Sequence, residues 1–172
     1  MTADELKQFV MSYASGCGLD PAVALVQLDR ESAHFAQAVV YGPTTGTSGE
    51  KGVAQFMPAT WARFGSGPHN NAYDPALSMQ AYCGYMSYLL GMFGGDYRKA
   101  LQGYNGGEGN VQRGTVSTRA RNYADEILAQ AQSAGPSLPS PDSASSGGLG
   151  LTSTPILLFA LLGLGAVFFL RD

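Results

Sequence analysis

The chain has 172 residues, enough for one compact domain with a hydrophobic core and a segment beyond it. Its formal net charge is -3 and only 13% of its residues are charged. Because the sequence contains no cluster of Lys and Arg, a nucleic acid is not expected as a partner.

The first part of the sequence predicts two helices. Thr2 and Glu5 form a capping box ahead of apolar residues at helical spacing. Asp20 is a typical N-cap, and Pro21 suits the first helical position. A second helix therefore starts there, with Glu31 in its last turn. The amino-terminal stretch lacks the basic start and apolar run of a secretory signal, so we expect the domain to begin here.

The middle of the chain is turn-rich and then helical. Residues 36–55 hold the strand-like stretch AVVY and the loop GPTTGTSGEKG, which closes a small hairpin or stays irregular. Pro58 opens a short helix, PATWARF, which Gly65 ends. After Asp74 and Pro75, the stretch ALSMQAYCGYMSYLLGMF is apolar on nearly every side, which predicts a central buried helix.

Two cysteines, Cys17 and Cys83, lie far apart and form no Cys-x-x-Cys or Cys/His cluster, which argues against a zinc site. We interpret them as two small buried apolar residues. A disulfide is the alternative if the domain works outside a reducing compartment.

The last part of the sequence divides into three. DYRKALQGY, a glycine-rich turn and a helix over TRARNYADEILAQAQ complete a mostly α domain, assigned to residues 1–134. Residues 135–154 are rich in Pro, Ser and Gly and predict a flexible linker. Residues 155–170 are apolar without a charge and predict a transmembrane anchor, extended backwards to approach the roughly 20 residues that cross a bilayer.

Glu31 is the first candidate for chemistry. Ala24, Leu25 and Leu28 flank it on the predicted helix, and a carboxyl group held against apolar groups has a raised pKa. Such a group stays protonated and can donate a proton to a leaving oxygen. Asp29 and Arg30 lie on other faces of the helix, so neither is expected to be a second catalytic group.

Four short blocks then occur in a specific order. They are ES (Glu31–Ser32), GVAQFMP (Gly52–Pro58), GYNGG (Gly103–Gly107) and RNYADEIL (Arg121–Leu128). Their order and approximate spacing resemble those of the SLT-type lytic transglycosylases, lysozyme-like enzymes that cleave peptidoglycan. The resemblance covers about residues 22–128. It implies a lysozyme-like helical domain with at most a small β-hairpin.

The resemblance also implies roles for single residues. Glu31 matches the family's catalytic acid/base, and Ser32 matches a serine that helps to orient it. The residues expected to bind or support the substrate are Gln55, Phe56 and Met57 in the glycan groove, Tyr104 and Asn105 facing the cleft, and Tyr123 near the carboxylate. Core positions for Phe56 and Met57, and a half-buried helix position for Tyr123, are the alternatives. Gly52 is expected to let the backbone approach the sugar.

The sequence departs from the family pattern at two places. Arg119 and Ala120 stand where an acid and a threonine are common, and Glu50 and Lys51 stand where small apolar residues are usual. We therefore expect a more exposed loop at residues 49–52. We interpret Glu50 as a solvated turn residue rather than a second catalytic carboxylate.

The resemblance implies a reaction that needs one carboxylate and no metal or organic cofactor. Glu31 protonates the oxygen between N-acetylmuramic acid and N-acetylglucosamine, and the substrate's N-acetyl group stabilises the cationic C1. Glu31 then takes the proton of the C6 hydroxyl, which closes a 1,6-anhydro ring. The alternatives are hydrolysis on the same fold, as in a goose-type lysozyme, a non-catalytic glycan-binding or structural protein, and a small membrane-permeabilising protein.

Peptidoglycan lies outside the cytoplasmic membrane, whereas a C-terminal anchor without a secretory signal leaves the domain on the cytoplasmic side. We therefore hypothesise a bacteriophage protein anchored in a virion membrane, which opens the cell wall locally during genome entry. Its expected partners are glycan strands, the lipid bilayer, and virion or envelope membrane proteins. A bacterial inner-membrane enzyme serving secretion or conjugation is the alternative.

Overall fold

Residues 1–133, which the computed structural model describes, form a succession of helices without a β-strand. The predicted mostly α fold is confirmed for this part of the chain. The predicted linker (135–154) and transmembrane anchor (155–170) lie outside the described residues. The helices are α1 (Ala3–Gly16), α2 (Pro21–Glu31), α3 (Gln37–Val40), α4 (Pro58–Phe64), a 3₁₀ helix (His69–Tyr73), α5 (Pro75–Met92), α6 (Tyr97–Gly106), α7 (Glu108–Gln112) and α8 (Thr118–Ser133).

The predicted helix starts are confirmed by their capping contacts. The Thr2 side chain accepts a hydrogen bond from the Glu5 amide at 3.2 Å, and the Thr2 amide donates to Glu5 Oε2 at 2.7 Å. Asp20 and Asp74 each accept hydrogen bonds from two amides of the following first turn. Each such cap contributes about 1 kcal/mol, so the starts of α1, α2 and α5 are set locally.

Helix α5 is the central helix of the domain, as predicted. It contacts α1, α4, α6 and the 3₁₀ helix, and it buries Met79, Tyr82, Met86 and Leu89. The Tyr82 hydroxyl donates to Oε1 of buried Gln27 on α2 at 2.8 Å. Helix α8 packs against α2 and α6, so the last helix of the described part contacts one near its beginning.

The strand expectation for AVVY is wrong. The amides of Val40 and Tyr41 donate to the carbonyls of Ala36 and Gln37 at 3.0 and 2.9 Å, which makes this stretch a single helical turn. Such a short apolar run has no periodicity that distinguishes strand from helix. Of the expected hairpin, residues 1–133 contain one antiparallel bridge, between Lys51 and Phe56.

The interpretation of the cysteines as two separate buried residues is also wrong. Cys17, at the end of α1, and Cys83, on α5, form a disulfide between Cα atoms 6.3 Å apart. The contact between α1 and α5 brings them together. Their separation of 66 residues gave no sign of this pairing, because it depends on tertiary packing.

The described helices contain no membrane-spanning candidate: none in residues 1–133 combines the required length with the required apolar character.

Candidate active site

A cavity of about 320 Å³ opens at the end of α2. It falls within the size range of small-ligand sites. Four parts of the chain form its wall: the end of α2, the loop between α3 and α4, the end of α6 and the first turn of α8. The lining residues are Glu31, Gly46, Thr47, Glu50, Gln55, Met57, Tyr104, Asn105 and Arg119.

Glu31 is the acid at the end of α2, where the sequence placed it. Its Oε1 accepts a hydrogen bond from the hydroxyl of Tyr123, a buried residue of α8. Burial raises the pKa of Glu31 above its ordinary value of 4.5, and the negative charge of Glu50 adds to the rise. The Tyr123 hydrogen bond and the charges of Arg30 and Arg119 act in the opposite direction. The net rise favours a protonated carboxyl that can act as an acid.

The turn that follows Glu31 has an unusual backbone. Ala33, His34 and Phe35 have φ angles of 51°, 60° and 56°, in the left-handed region that residues other than glycine seldom adopt. Buried Ser32 holds this turn, because its Oγ donates to the Leu28 carbonyl at 2.6 Å and accepts from the Phe35 amide at 3.0 Å. Ser32 therefore contacts backbone groups on both sides of Glu31. Strained turns of this kind cluster at active sites.

Tyr104 and Asn105 line the cavity from the end of α6. The Tyr104 hydroxyl donates to the Ala54 carbonyl at 2.5 Å, and its ring packs against the ring of Tyr85. Asn105 Oδ1 is buried and accepts no hydrogen bond from residues 1–133. Buried acceptors are normally satisfied, so this atom is available to a donor that enters the cavity.

The loop before α4 places only part of its predicted groove in the cavity. Gln55, with a φ of 47°, and Met57, which is 39% exposed, line the wall. Phe56 is 2% exposed and packs edge-on against Trp61, so the core alternative holds for it. The Gln55 side chain donates to the Gly52 carbonyl at 2.8 Å, which stiffens the turn.

Gly52 does not lie on the cavity wall. It is buried with a φ of 74°, and a Cβ there would lie 1.7 Å from the Ala72 carbonyl oxygen. The expected close approach to sugar is therefore wrong, because the backbone that Gly52 approaches is that of the 3₁₀ helix.

The two departures from the family pattern meet in the same cavity. Glu50 and Arg119 both line it, although they are 69 positions apart in the sequence. The loop at residues 49–52 is only partly exposed, and Gly52 is buried. Sequence reasoning noticed both charged residues but assigned neither to the site; their unusual chemistry at those positions was the available signal.

Gly46 and Thr47 are the lining residues for which the sequence offered no signal.

Residues 1–133 contain no group of three His, Cys, Asp or Glu side chains that could hold a metal ion.

Comparisons with known proteins agree with this architecture. The protein-family model of the Transglycosylase SLT domain matches residues 8–127. The peptidoglycan transglycosylase gp16 of Escherichia phage T7 is 31% identical over 101 residues, covering 50% of this chain and 8% of the phage protein.

Two solved structures share the fold. An inactive mutant of the lytic transglycosylase Slt from Pseudomonas aeruginosa superimposes with a TM-score of 0.60 at 19% identity, over 72% of this chain and 23% of that one. The 70 kDa soluble lytic transglycosylase Slt70 of Escherichia coli gives 0.57 at 22% identity, over 74% and 23%. The expected lytic-transglycosylase-like helical fold is thus confirmed for the described residues. The chain spans less than a quarter of the length of each of these three proteins.

Proposed function

We propose that this chain, which belongs to the transglycosylase SLT domain family, is a lytic transglycosylase that cleaves peptidoglycan. The bond cleaved is the β-1,4 linkage between N-acetylmuramic acid and N-acetylglucosamine, and the product is a 1,6-anhydromuramic end. The observation that carries the proposal is the carboxyl of Glu31, which lines the cavity and accepts a hydrogen bond from Tyr123. Membership of the family supports the same reaction class.

In the first step Glu31 acts as an acid. Because burial favours its protonated form, it can transfer a proton to the glycosidic oxygen as the bond to C1 breaks. The electron pair of that bond leaves with the oxygen. The positive charge that develops at C1 is stabilised by the neighbouring N-acetyl group of the substrate.

In the second step Glu31 acts as a base. Its carboxylate takes the proton of the muramic C6 hydroxyl, whose oxygen forms the new bond to C1. The Tyr123 hydroxyl and the charges of Arg30 and Arg119 favour the ionised form of Glu31, so they stabilise the state between the two steps. Asn105 Oδ1 and the Gln55 side chain would position the sugar from the cavity wall.

Mass spectrometry of the soluble fragments that the full chain releases from purified peptidoglycan tests this reaction. We expect fragments with 1,6-anhydromuramic ends, and a loss of about 10²–10⁴-fold in their release by Glu31→Gln. Asp4→Asn is the control, because Asp4 is a well-exposed acid of α1 outside the cavity. Equal release by wild type and Glu31→Gln would disprove the assignment of Glu31.

We also propose the division of the chain into a catalytic domain (1–134), a linker (135–154) and a membrane anchor (155–170). The apolar, uncharged sequence of residues 156–170 supports the anchor. The full chain should float with phosphatidylglycerol and phosphatidylethanolamine vesicles in a density gradient, and a chain ending at residue 134 should stay at the bottom. Flotation of both chains, or of neither, would contradict this division.

We propose a bacteriophage virion as the setting, with cleavage serving genome entry. The 31% identity with the peptidoglycan transglycosylase of phage T7 supports this context. The protein should be detected by mass spectrometry in purified particles. Its presence only in membranes of uninfected bacteria would favour the cellular alternative of an envelope enzyme.

A further inference from the structure

Glu50 is a second carboxylate in the wall of the Glu31 cavity. It is partly buried, and its Oε2 accepts a hydrogen bond from the Ser48 amide at 2.9 Å. The carboxyl group also lies against the bare Cα of Gly46, where a Cβ would come within 2.2 Å of Oε2. The Ser48 amide therefore fixes the position of this carboxylate, and the missing side chain of Gly46 leaves the space that it occupies.

No structural ion pair explains the presence of Glu50. In residues 1–133 no Lys or Arg nitrogen lies within salt-bridge distance of its carboxylate. The neighbouring Lys51 donates to Asn70 Oδ1 at 2.7 Å and lies over the ring of Tyr73. The Glu50 carboxylate therefore lines the cavity with the Ser48 amide as a hydrogen-bond donor and without an ion pair to a cationic side chain of residues 1–133.

Glu31 and Glu50 are the two acids among the lining residues, and they approach the cavity from different elements. Glu31 ends α2, whereas Glu50 lies in the loop between α3 and α4. A pair of carboxyl groups on one glycan site permits direct hydrolysis, in which one protonates the leaving oxygen and the other activates a water.

We propose that Glu50 is the catalytic base of a second reaction in this cavity, hydrolysis of the same glycosidic bond. The proposal rests on the proposed function. Glu50 takes one proton from a water molecule, and the water oxygen forms a bond to C1. The bond from C1 to the glycosidic oxygen breaks, its electron pair stays on that oxygen, and the oxygen takes the proton of Glu31. One water is consumed, and the product is a reducing muramic end. Proton exchange with solvent then restores both carboxyl groups.

The water and the C6 hydroxyl compete for C1, so the two reactions share the first proton transfer and differ in the nucleophile. Glu31 serves as the acid in both. Glu50 is needed only where water attacks, and the ratio of the two products therefore reports on Glu50.

The test is cleavage of purified peptidoglycan by the full chain in H₂¹⁸O, with immediate borohydride reduction and mass spectrometry of the fragments. Hydrolysis places ¹⁸O at C1 of the reducing end, whereas ring closure incorporates no oxygen from water. We expect wild type to give both labelled reducing ends and anhydro ends. Glu50→Gln should lower the ratio of labelled to anhydro ends by at least about tenfold. Asp4→Asn should leave the ratio unchanged.

Anhydro ends alone from wild type, or an unchanged ratio in Glu50→Gln, would overturn the role of Glu50 while leaving the transglycosylase proposal standing. Absence of both products from wild type would overturn the two together. Wild type alone can overturn the proposal, because anhydro ends without labelled reducing ends exclude hydrolysis whatever the fold of the variant. The ratio in Glu50→Gln is read from protein whose circular dichroism spectrum matches that of wild type.

Discussion

The hydroxyl of Tyr123 donates a hydrogen bond to Oε1 of Glu31 across 92 positions of sequence. The contact joins α8 to the end of α2. The Tyr123 ring lies under the guanidinium of Arg30, 5.2 Å from the ring centroid, and Arg30 also pairs with Glu126. Burial favours the protonated form of Glu31, whereas this hydrogen bond favours the ionised form, so the site supports both states that an acid/base residue needs.

Tyr123→Phe should change the pH dependence of cleavage as well as its rate. Since the lost hydrogen bond lowers the pKa of Glu31, its removal raises that pKa further. The acid form then persists to higher pH, and the alkaline limb of kcat/KM moves upward. The hydrogen bond also stabilises the ionised Glu31 that forms when its proton is transferred. Because a hydrogen bond to a charged group contributes about 1.5–3 kcal/mol, we expect its loss to lower kcat by roughly tenfold or more.

The measurement is the rate of fragment release between pH 4 and 9. Tyr13→Phe is the matched control, because Tyr13 lies on α1 and does not line the active-site cavity. An alkaline limb that stays in place or moves to lower pH would contradict the role of the Tyr123 hydroxyl.

The charged side chains around Glu31 should shift the same limb in opposite directions. Glu50 raises the pKa of Glu31, while Arg30 and Arg119 lower it. Glu50→Gln should therefore move the alkaline limb to lower pH, and Arg119→Gln should move it to higher pH. Because Arg119 is exposed, its effect should weaken in 0.5 M salt.

These shifts are read from kcat/KM profiles of the two variants and wild type at low and high salt. Shifts in the same direction for both variants would show that the charges do not act on Glu31 through their field.

The parts of the site that the sequence predicted follow either from local chemistry or from the resemblance to the SLT-type lytic transglycosylases. Asp20 and Pro21 set the start of α2, so the position of Glu31 at its end followed from the sequence. Tyr104 and Asn105 are expected in the cleft because the GYNGG block resembles a block of that family, and they line the cavity.

The parts that the sequence missed depend either on the conformation of an irregular loop or on packing between distant helices. The side chain of Glu50 lines the cavity because the Lys51–Phe56 bridge closes its loop and Gly46 leaves space beside it. Both contacts are close in sequence, but an irregular loop has no periodicity from which they could be predicted. The pairing of Cys17 with Cys83 differs, because it requires the packing of α1 on α5.

Glu31→Gln should stabilise the protein increasingly as pH rises. The pKa of Glu31 is raised in the folded state, so its contribution to stability is full below the unfolded value near 4.5. That contribution is lost as pH rises through the folded pKa, because an ionised carboxyl must then stay buried. Gln does not titrate, and the Tm of the variant minus that of wild type should grow between pH 4 and 8.

Glu5→Gln provides a control of opposite sign, measured by circular dichroism in the same buffers. The Thr2 backbone hydrogen bond lowers the pKa of Glu5, whose contribution is therefore present above its unfolded pKa and lost as pH falls. Its Tm difference from wild type should become more negative as pH rises. If the Tm of Glu31→Gln minus that of wild type shrank with rising pH, the pKa of Glu31 would not be raised by burial in the folded state.

Gly52→Ala should destabilise the domain more than Gly18→Ala, although both glycines have left-handed φ angles, 74° and 78°. Gly18 has open space around it, so alanine there bears only the backbone cost of about 1–2 kcal/mol. At Gly52 the new Cβ would also collide with the Ala72 carbonyl, and the combined loss should be roughly 2–5 kcal/mol. Relief of that collision would displace the adjoining turn and with it Gln55 on the cavity wall, so fragment release should fall as well.

Urea unfolding followed by circular dichroism gives the two free energies of unfolding. Equal losses in the two variants would mean that the contact between Gly52 and the 3₁₀ helix does not constrain the site.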